Sequence, residues 1–189
     1  MTTPSRKYPW RVVLIVEDET DGVVVQALAR KLRPDVLIDP LPVKGCGEIK
    51  RRLPALVRTA KSQLSRRGCV AVLLDQDHKD LGRDEPHRSI HLACRQLGVP
   101  LLLCSQDMEA WLLTDPGCRD FLKLPALRGT TDSLVGSKKL VSDAYLKVTG
   151  RSYDKRLARQ KLALQVAGPR PQSNLSLSAA LTHLSRCKV

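Results

Sequence analysis

Three short apolar runs, each closing on carboxylates and each separated from the next by a stretch of helical periodicity, restrict this chain more than any other feature. The runs are Arg11 to Val16 (RVVLIV), Cys69 to Leu74 (CVAVLL) and Val99 to Cys104 (VPLLLC). They are rich in β-branched residues and leucine and show no polar alternation, so they read as strands buried on both faces, as in a parallel sheet. A further run, residues 36–43 (VLIDPLPV), carries Pro40 and Pro42. A central strand does not tolerate prolines, so this one is placed at the sheet edge. Between the runs, residues 20–32 set Val24, Leu28 and Leu32 on one helical face. Residues 49–66 do the same with Ile49, Leu53, Leu56, Ala60 and Leu64, with basic residues opposite; Pro54 is read as breaking or starting that helix near its front. His87 to Leu97 reads as a helix closed by Gly98, and Glu109 to Leu113 begins another. Strand and helix thus alternate from residue 11 to about 113, which implies an α/β fold with a parallel sheet and right-handed crossovers. Ligands in such sheets bind beyond the carboxyl ends of the strands.

After about residue 125 the chain becomes basic and helix-like, interrupted by Gly136, Gly150 and the Gly168–Pro171 turn. The division expected is an α/β domain over 1–125 and a basic helical extension over 126–189 packed on it. The extension holds 12 Lys and Arg against 3 Asp, and the whole chain carries a net charge of +13. That excess favours a polyanionic partner, nucleic acid above all. Aromatic residues make up only 3% of the chain, which excludes a base-stacking platform of the OB-fold or RRM kind. No apolar run is long enough to span a bilayer, so no membrane is expected. The basic N-terminus (MTTPSRK) is followed by a strand-length apolar stretch without a small-residue cleavage site, so no signal peptide is read. The cysteines at 46, 69, 94, 104, 118 and 187 form no Cys-x-x-Cys pair and no zinc-finger spacing. These features together point to a reducing, cytoplasmic setting.

The carboxylates carry the chemistry. The first strand ends in Glu17-Asp18-Glu19-Thr20-Asp21, the third in Asp75-Gln76-Asp77, and the fourth is followed by Ser105-Gln106-Asp107-Met108-Glu109. In extended backbone residues i and i+2 share a side, so Asp75 and Asp77 project together if the strand persists through them. A neighbouring parallel strand brings Glu17 to that pair, and Asp21, in the first turn of a helix, faces the same crevice. Crowded carboxylates repel unless cations neutralise them or some stay protonated. Hard divalent ions such as Mg2+ suit an all-oxygen set and keep waters that substrate phosphates replace. Taken singly, each acid has a plainer reading: Asp18, Thr20 or Asp21 as a helix cap, Glu109 as a helix-start acid, Asp77 to Asp84 as a solvated loop. Glu17, Asp75 and Asp77 together, each at a strand end, read as a site.

Leu14-Ile15-Val16-Glu17 with Thr20-Asp21, Leu73-Leu74-Asp75-Gln76-Asp77, and Ser105 to Glu109 resemble the motifs of the TOPRIM domain of topoisomerases, primases and OLD-type nucleases. Lys44-Gly45 is similar to a basic site of OLD-type members. Met108 to Asp115 (MEAWLLTD) resembles small TOPRIM-like proteins encoded beside ABC-type ATPases. TOPRIM members usually carry Gly after the first Glu, where this chain has Asp18. The resemblance implies a Rossmann-like TOPRIM fold with about four parallel strands between helices, and a Mg2+- or Mn2+-dependent nuclease. In that reading Glu17, Asp75, Asp77 and Lys44 are catalytic, Asp21 and Glu109 are further metal ligands, and Lys44 steadies transition-state charge. An ABC-type ATPase partner and a phage-defence or toxin-like role follow by the same analogy.

The opening Val13 to Glu19 (VLIVEDE) also resembles a response-regulator receiver, which would make Asp75 a phosphoacceptor, Ser105 a switch hydroxyl and Lys123 its paired lysine. The loop after Asp75, the place of Lys123 and the positive charge all depart from that pattern. A non-catalytic nucleic-acid- or protein-binding module is the third reading.

Smaller signals complete the expectations. His87 and His91, at i and i+4 on a helix, read as a surface pair, and His78 as part of a solvated acidic loop. Trp111 reads as core. Lys138, Lys139, Lys155, Arg156 and Arg159 are the phosphate-contact candidates, because their region has little acid to offset them.

Overall fold

The computed structural model describes residues 10–64, 68–77, 79–127 and 129–186, the side chains of 185 and 186 excepted. His78, Cys187, the basic N-terminal stretch and the end of the helix read over 49–66 lie outside the described residues.

Strands β1 (Trp10–Val16), β2 (Val36–Pro42), β3 (Gly68–Asp75) and β4 (Leu101–Cys104) alternate with helices α1 (Glu19–Leu32), α2 (Cys46–Ser62) and α3 (His87–Leu97). Helices α4 (Met108–Leu112), α5 (Pro116–Phe121), α6 (Ser137–Thr149), α7 (Lys155–Ala163) and α8 (Leu175–Arg186) follow. The strands form one parallel sheet in the order β2-β1-β3-β4, a Rossmann-like α/β topology. The proline-bearing β2 lies at an edge, as its composition requires.

The unbroken apolar text of β1 is explained by two cores. Val12, Leu14 and Val16 point to the face covered by α1, where Val141, Leu162 and Leu184 of α6, α7 and α8 join the same cluster. Val13 and Ile15 point to the opposite face, against Ile49, Leu53 and Val57 of α2 and Ile90 of α3. Strand alternation therefore feeds both faces at once. Trp111 is core: it is 1% exposed and its indole Nε1 donates to Ser176 Oγ at 2.8 Å.

Two local expectations are corrected. Pro54 neither starts nor breaks α2; it sits within the helix. Its side is exposed, so the carbonyl that loses its amide partner faces water. The strand geometry does not persist through Asp77. β3 ends at Asp75, and Asp77 adopts a left-handed conformation with φ 46°, which a short acidic side chain tolerates better than most.

Among the described residues no helix is long and apolar enough to cross a membrane.

Candidate metal and phosphate site

Chain order runs from β1 outward to β2, then back across β1 to β3. The switch point of the sheet therefore lies between the carboxyl ends of β1 and β3, where open α/β sheets leave a crevice. β1 and β3 are in register through Ile15 and Val72, so Glu17, just past β1, and Asp75, ending β3, meet at that point. A cavity of about 610 Å3 opens there, within the size range of small-ligand sites.

The cavity is bipolar. Glu17, Asp21, Asp75, Asp77, Asp107 and Glu109 line it together with Lys44, Lys138, Lys155 and Arg159. The four bases arrive on three elements: Lys44 on the loop before α2, Lys138 in the first turn of α6, and Lys155 and Arg159 on α7. The amino ends of α1, α2, α4, α6 and α7 all border the space, and helix amino ends favour negative charge. The Lys44 loop is pinned to the end of β1: Val43 N donates to Val16 O at 2.9 Å and Gly45 N to Glu17 O at 3.0 Å. Gly45 caps α2 at φ 86°, where an L side chain is strained.

Ion pairs and helix-cap hydrogen bonds separate the acids into two sets. Asp18 caps α1 through a reciprocal pair with Asp21 and also takes a hydrogen bond from the Lys155 ammonium. Burial works to raise the Asp18 carboxyl, yet Lys155 and the Thr20 hydroxyl outweigh it and bring it down to about 2. Asp107 caps α4 and accepts from Ser137 Oγ at 2.6 Å and Lys138 N at 3.1 Å, which fixes the start of α6 at the rim. Glu109 is 0% exposed and takes both Nε and the second terminal nitrogen of Arg159 at 2.8 Å, with the Tyr153 hydroxyl donating at 2.5 Å. Burial would raise the Glu109 carboxyl, but the guanidinium holds it below its usual range. Arg159 also donates to Asp21, and to Thr20 Oγ1 at 3.2 Å.

Glu17, Asp75 and Asp77 form the second set, with no ion pair among the described residues. Burial, then the Asp21 charge, pushes the Glu17 carboxyl up. Burial pushes Asp75 well above the usual carboxylate range, with Asp21 and Glu17 adding to it against the pull of Arg159. Asp75 Oδ1 is buried and has no hydrogen-bond partner among the described residues. A buried, unmatched carboxylate oxygen among acids is chemically suited to a hard cation. Among the described residues no group of three His, Cys, Asp or Glu converges closely enough to cage one. Mg2+ seldom needs such a cage, since one or two carboxylates, waters and substrate phosphate usually complete its shell.

The structure thus gathers Glu17, Asp75, Asp77 and Lys44 at one cavity and corrects other expectations. Asp21 and Glu109, expected as metal ligands, are bound to Arg159. Arg159, expected to contact phosphate, is 1% exposed and serves as an interior ion-pair hub. Lys138, Lys139 and Arg156 are exposed; Lys139 pairs with Asp143 at 2.6 Å. His87 is not on the surface: it is 4% exposed and its Nε2 lies 2.9 Å from the Asp75 carbonyl oxygen, which steadies the end of β3. Ser105 lines a different cavity, beside α8, and Lys123, just after α5, is outside the lining of the main one. Tyr153 and Asp107 were missed as positioning groups. Asp107 carried a signal, an Asp before a helical run. Tyr153 reaches Glu109 across 44 positions, with no local pattern to show it.

The Asp18–Lys155 pair is half-exposed, so replacing Lys155 with Ala is expected to cost about 0.2–1 kcal/mol. Its clearer mark is in titration. The Asp18 carboxyl is depressed in the folded chain, so its contribution to stability is present above the ordinary value of 3.8 and is lost as pH falls through about 2. Carboxyl NMR should show the Asp18 midpoint moving upward in Lys155→Ala; an unmoved midpoint would refute the pairing.

No protein-family model matches the chain, and neither a curated protein nor a solved structure matches it.

Proposed function

We propose that the chain is a Mg2+- or Mn2+-dependent nuclease of TOPRIM type, cleaving nucleic acid phosphodiesters at the cavity between β1 and β3. The observation that carries the reading is the set of carboxylates at the switch point, Glu17, Asp75 and Asp77, which among the described residues neither pair with a cation nor cap a helix and are bordered by lysines from separate elements. The motif resemblance at 14–21, 73–77 and 105–109 supports it, and so does the net charge of +13.

In this reading Glu17 and Asp75, at the ends of their strands, would hold the cation together with Asp77 from its left-handed turn. The bound ion supplies Lewis-acid activation of the phosphate and of a water. Lys44, Lys138 and Lys155 hold the phosphates of the strand, and Lys44 stands where it can offset charge that develops on the phosphorus oxygens. Water attacks phosphorus as the ester P–O bond breaks. The proton released by the water passes to the leaving oxygen. Exposed Lys138, Lys139 and Arg156 extend the contact along the backbone without base specificity. The resemblance to proteins encoded beside ABC-type ATPases extends the proposal to an ATPase partner and an effector role in phage defence or toxicity. The receiver reading is less well supported, because Ser105 and Lys123 lie outside this cavity.

The test is cleavage of single-stranded and duplex DNA and RNA in Mg2+, in Mn2+ and in EDTA, with Glu17→Gln alongside. Cleavage that needs the metal and falls at least ~100-fold in the variant is expected, beyond what loss of an outer-shell partner costs. Cleavage in EDTA, or cleavage undiminished in Glu17→Gln, would refute the assignment. Metal-independent binding without cleavage would leave a binding module.

A further inference from the structure

The buried centre of α7 has a consequence for the site that ion pairing alone does not express. Arg159 is 1% exposed, and its guanidinium is fully engaged: Nε and one terminal nitrogen grip Glu109, while the other reaches Asp21 and Thr20. Tyr153 closes the second side of Glu109. The two acids taken up this way come from α1 and α4, on either side of Asp75, and all three border the same cavity. Without Arg159, Glu109 would keep only the Tyr153 hydroxyl, and Asp21 only the Asp18 amide and Lys155 at 3.7 Å, so two more carboxylates would face an ion beside Glu17, Asp75 and Asp77. Those two acids would then compete with Glu17, Asp75 and Asp77 for a divalent ion.

We infer that Arg159, held by Tyr153, is a positioning residue that removes Asp21 and Glu109 from metal duty and so confines the cation to Glu17, Asp75 and Asp77, next to the phosphate-holding lysines. The inference rests on the metal reading proposed above. Its physical basis is competition. A guanidinium fork matches a carboxylate bidentately and holds it in fixed geometry, and a carboxylate so held, its charge already matched, is a poorer ligand for a metal. The cation is left with the oxygens that Arg159 does not reach, among them Asp75 Oδ1.

This role predicts a sign that a purely structural pin does not. Damage to a scaffold weakens metal binding, whereas release of competing acids strengthens it. The experiment is calorimetric titration of Mn2+ into the full chain and into Asp75→Asn, Asp21→Asn and Arg159→Gln, with folding of each checked by circular dichroism. Wild type is expected to bind Mn2+ and Asp75→Asn to lose it. Asp21→Asn, which leaves the Glu109–Arg159 fork intact, is expected to bind within about threefold of wild type, because Asp21 is not a ligand. Arg159→Gln is expected to bind tighter by on the order of tenfold, or to take up an additional ion, as a positive charge leaves and two acids are freed. Binding by folded Arg159→Gln that equals or falls below wild type overturns the inference. So does an Asp21→Asn variant that loses as much affinity as Asp75→Asn, and this second comparison decides the matter if Arg159→Gln does not fold. Wild type that takes up no Mn2+ overturns instead the metal reading on which the inference stands.

Discussion

Asp75→Asn is expected to melt at a higher temperature than the parent chain at neutral pH in EDTA, while losing metal-dependent cleavage more than ~100-fold. The carboxyl is pushed well above its ordinary value of 3.8 by burial, then by the Asp21 and Glu17 charges. Because the folded value lies above the unfolded one, the native state holds the proton more tightly. Below about 3.8 both states are protonated and the group costs nothing. As pH rises towards the folded value the unfolded chain releases its proton first, and stability falls. An amide carries no such charge, so the advantage of Asp75→Asn is absent in acid and grows towards neutral pH. Melting curves of both chains between about pH 4 and 8 measure it. Saturating Mn2+ should then raise the melting point of wild type, by binding the native state alone, and leave the variant unmoved. Equal melting of the two chains across that range would show that the carboxyl is not under electrostatic stress. Residues that crowd charge for function commonly cost stability in this way.

Arg159→Met is expected to destabilise the fold by about 3–5 kcal/mol, because it strands buried Glu109 without a cation and leaves Asp21 only the more distant Lys155. A domain of ordinary stability holds about 5–15 kcal/mol in all, so the variant stands near the edge of folding. The loss should not be local. Arg159 is on α7, Asp21 on α1 and Glu109 on α4, so the hub is a polar tie between the C-terminal helices and the first helix of the sheet domain. Neutralising the stranded acids as well, in Arg159→Met/Asp21→Asn/Glu109→Gln, should return most of the loss, since replacing a whole buried ion cluster is far milder than breaking one. Denaturant midpoints of the three chains decide the point. A single variant within about 1 kcal/mol of wild type would mean that the buried charges are solvated by other means.

Much of the sheet was legible in the sequence because its determinants are local. β-branched apolar runs of strand length, closed by acids and separated by helical periodicity, can satisfy their backbone and bury both faces only as parallel strands. Prolines at 40 and 42 placed β2 at the edge. The helix over His87–Leu97 appeared with the bounds read for it, since Gly98 supplies its left-handed cap at φ 62°. The meeting of Glu17 and Asp75 also follows from the sequence once strand order is known, because both stand where parallel strands end.

Tertiary structure decided what each charge does. A carboxylate at a helix start reads the same in sequence whether it caps the helix, holds a metal or pairs with a distant base. Asp21 and Glu109 read as ligands, and Arg159 as a phosphate contact, until α7 folded over the sheet and brought the arginine between them across separations of 138 and 50 positions. The same packing withdrew His87 from the surface and set its ring against the Asp75 carbonyl. Backbone periodicity and strand-end acids are properties of neighbouring residues, so the sequence alone determines them. Burial and charge pairing depend on which remote segments share a volume, and only the packed chain determines that.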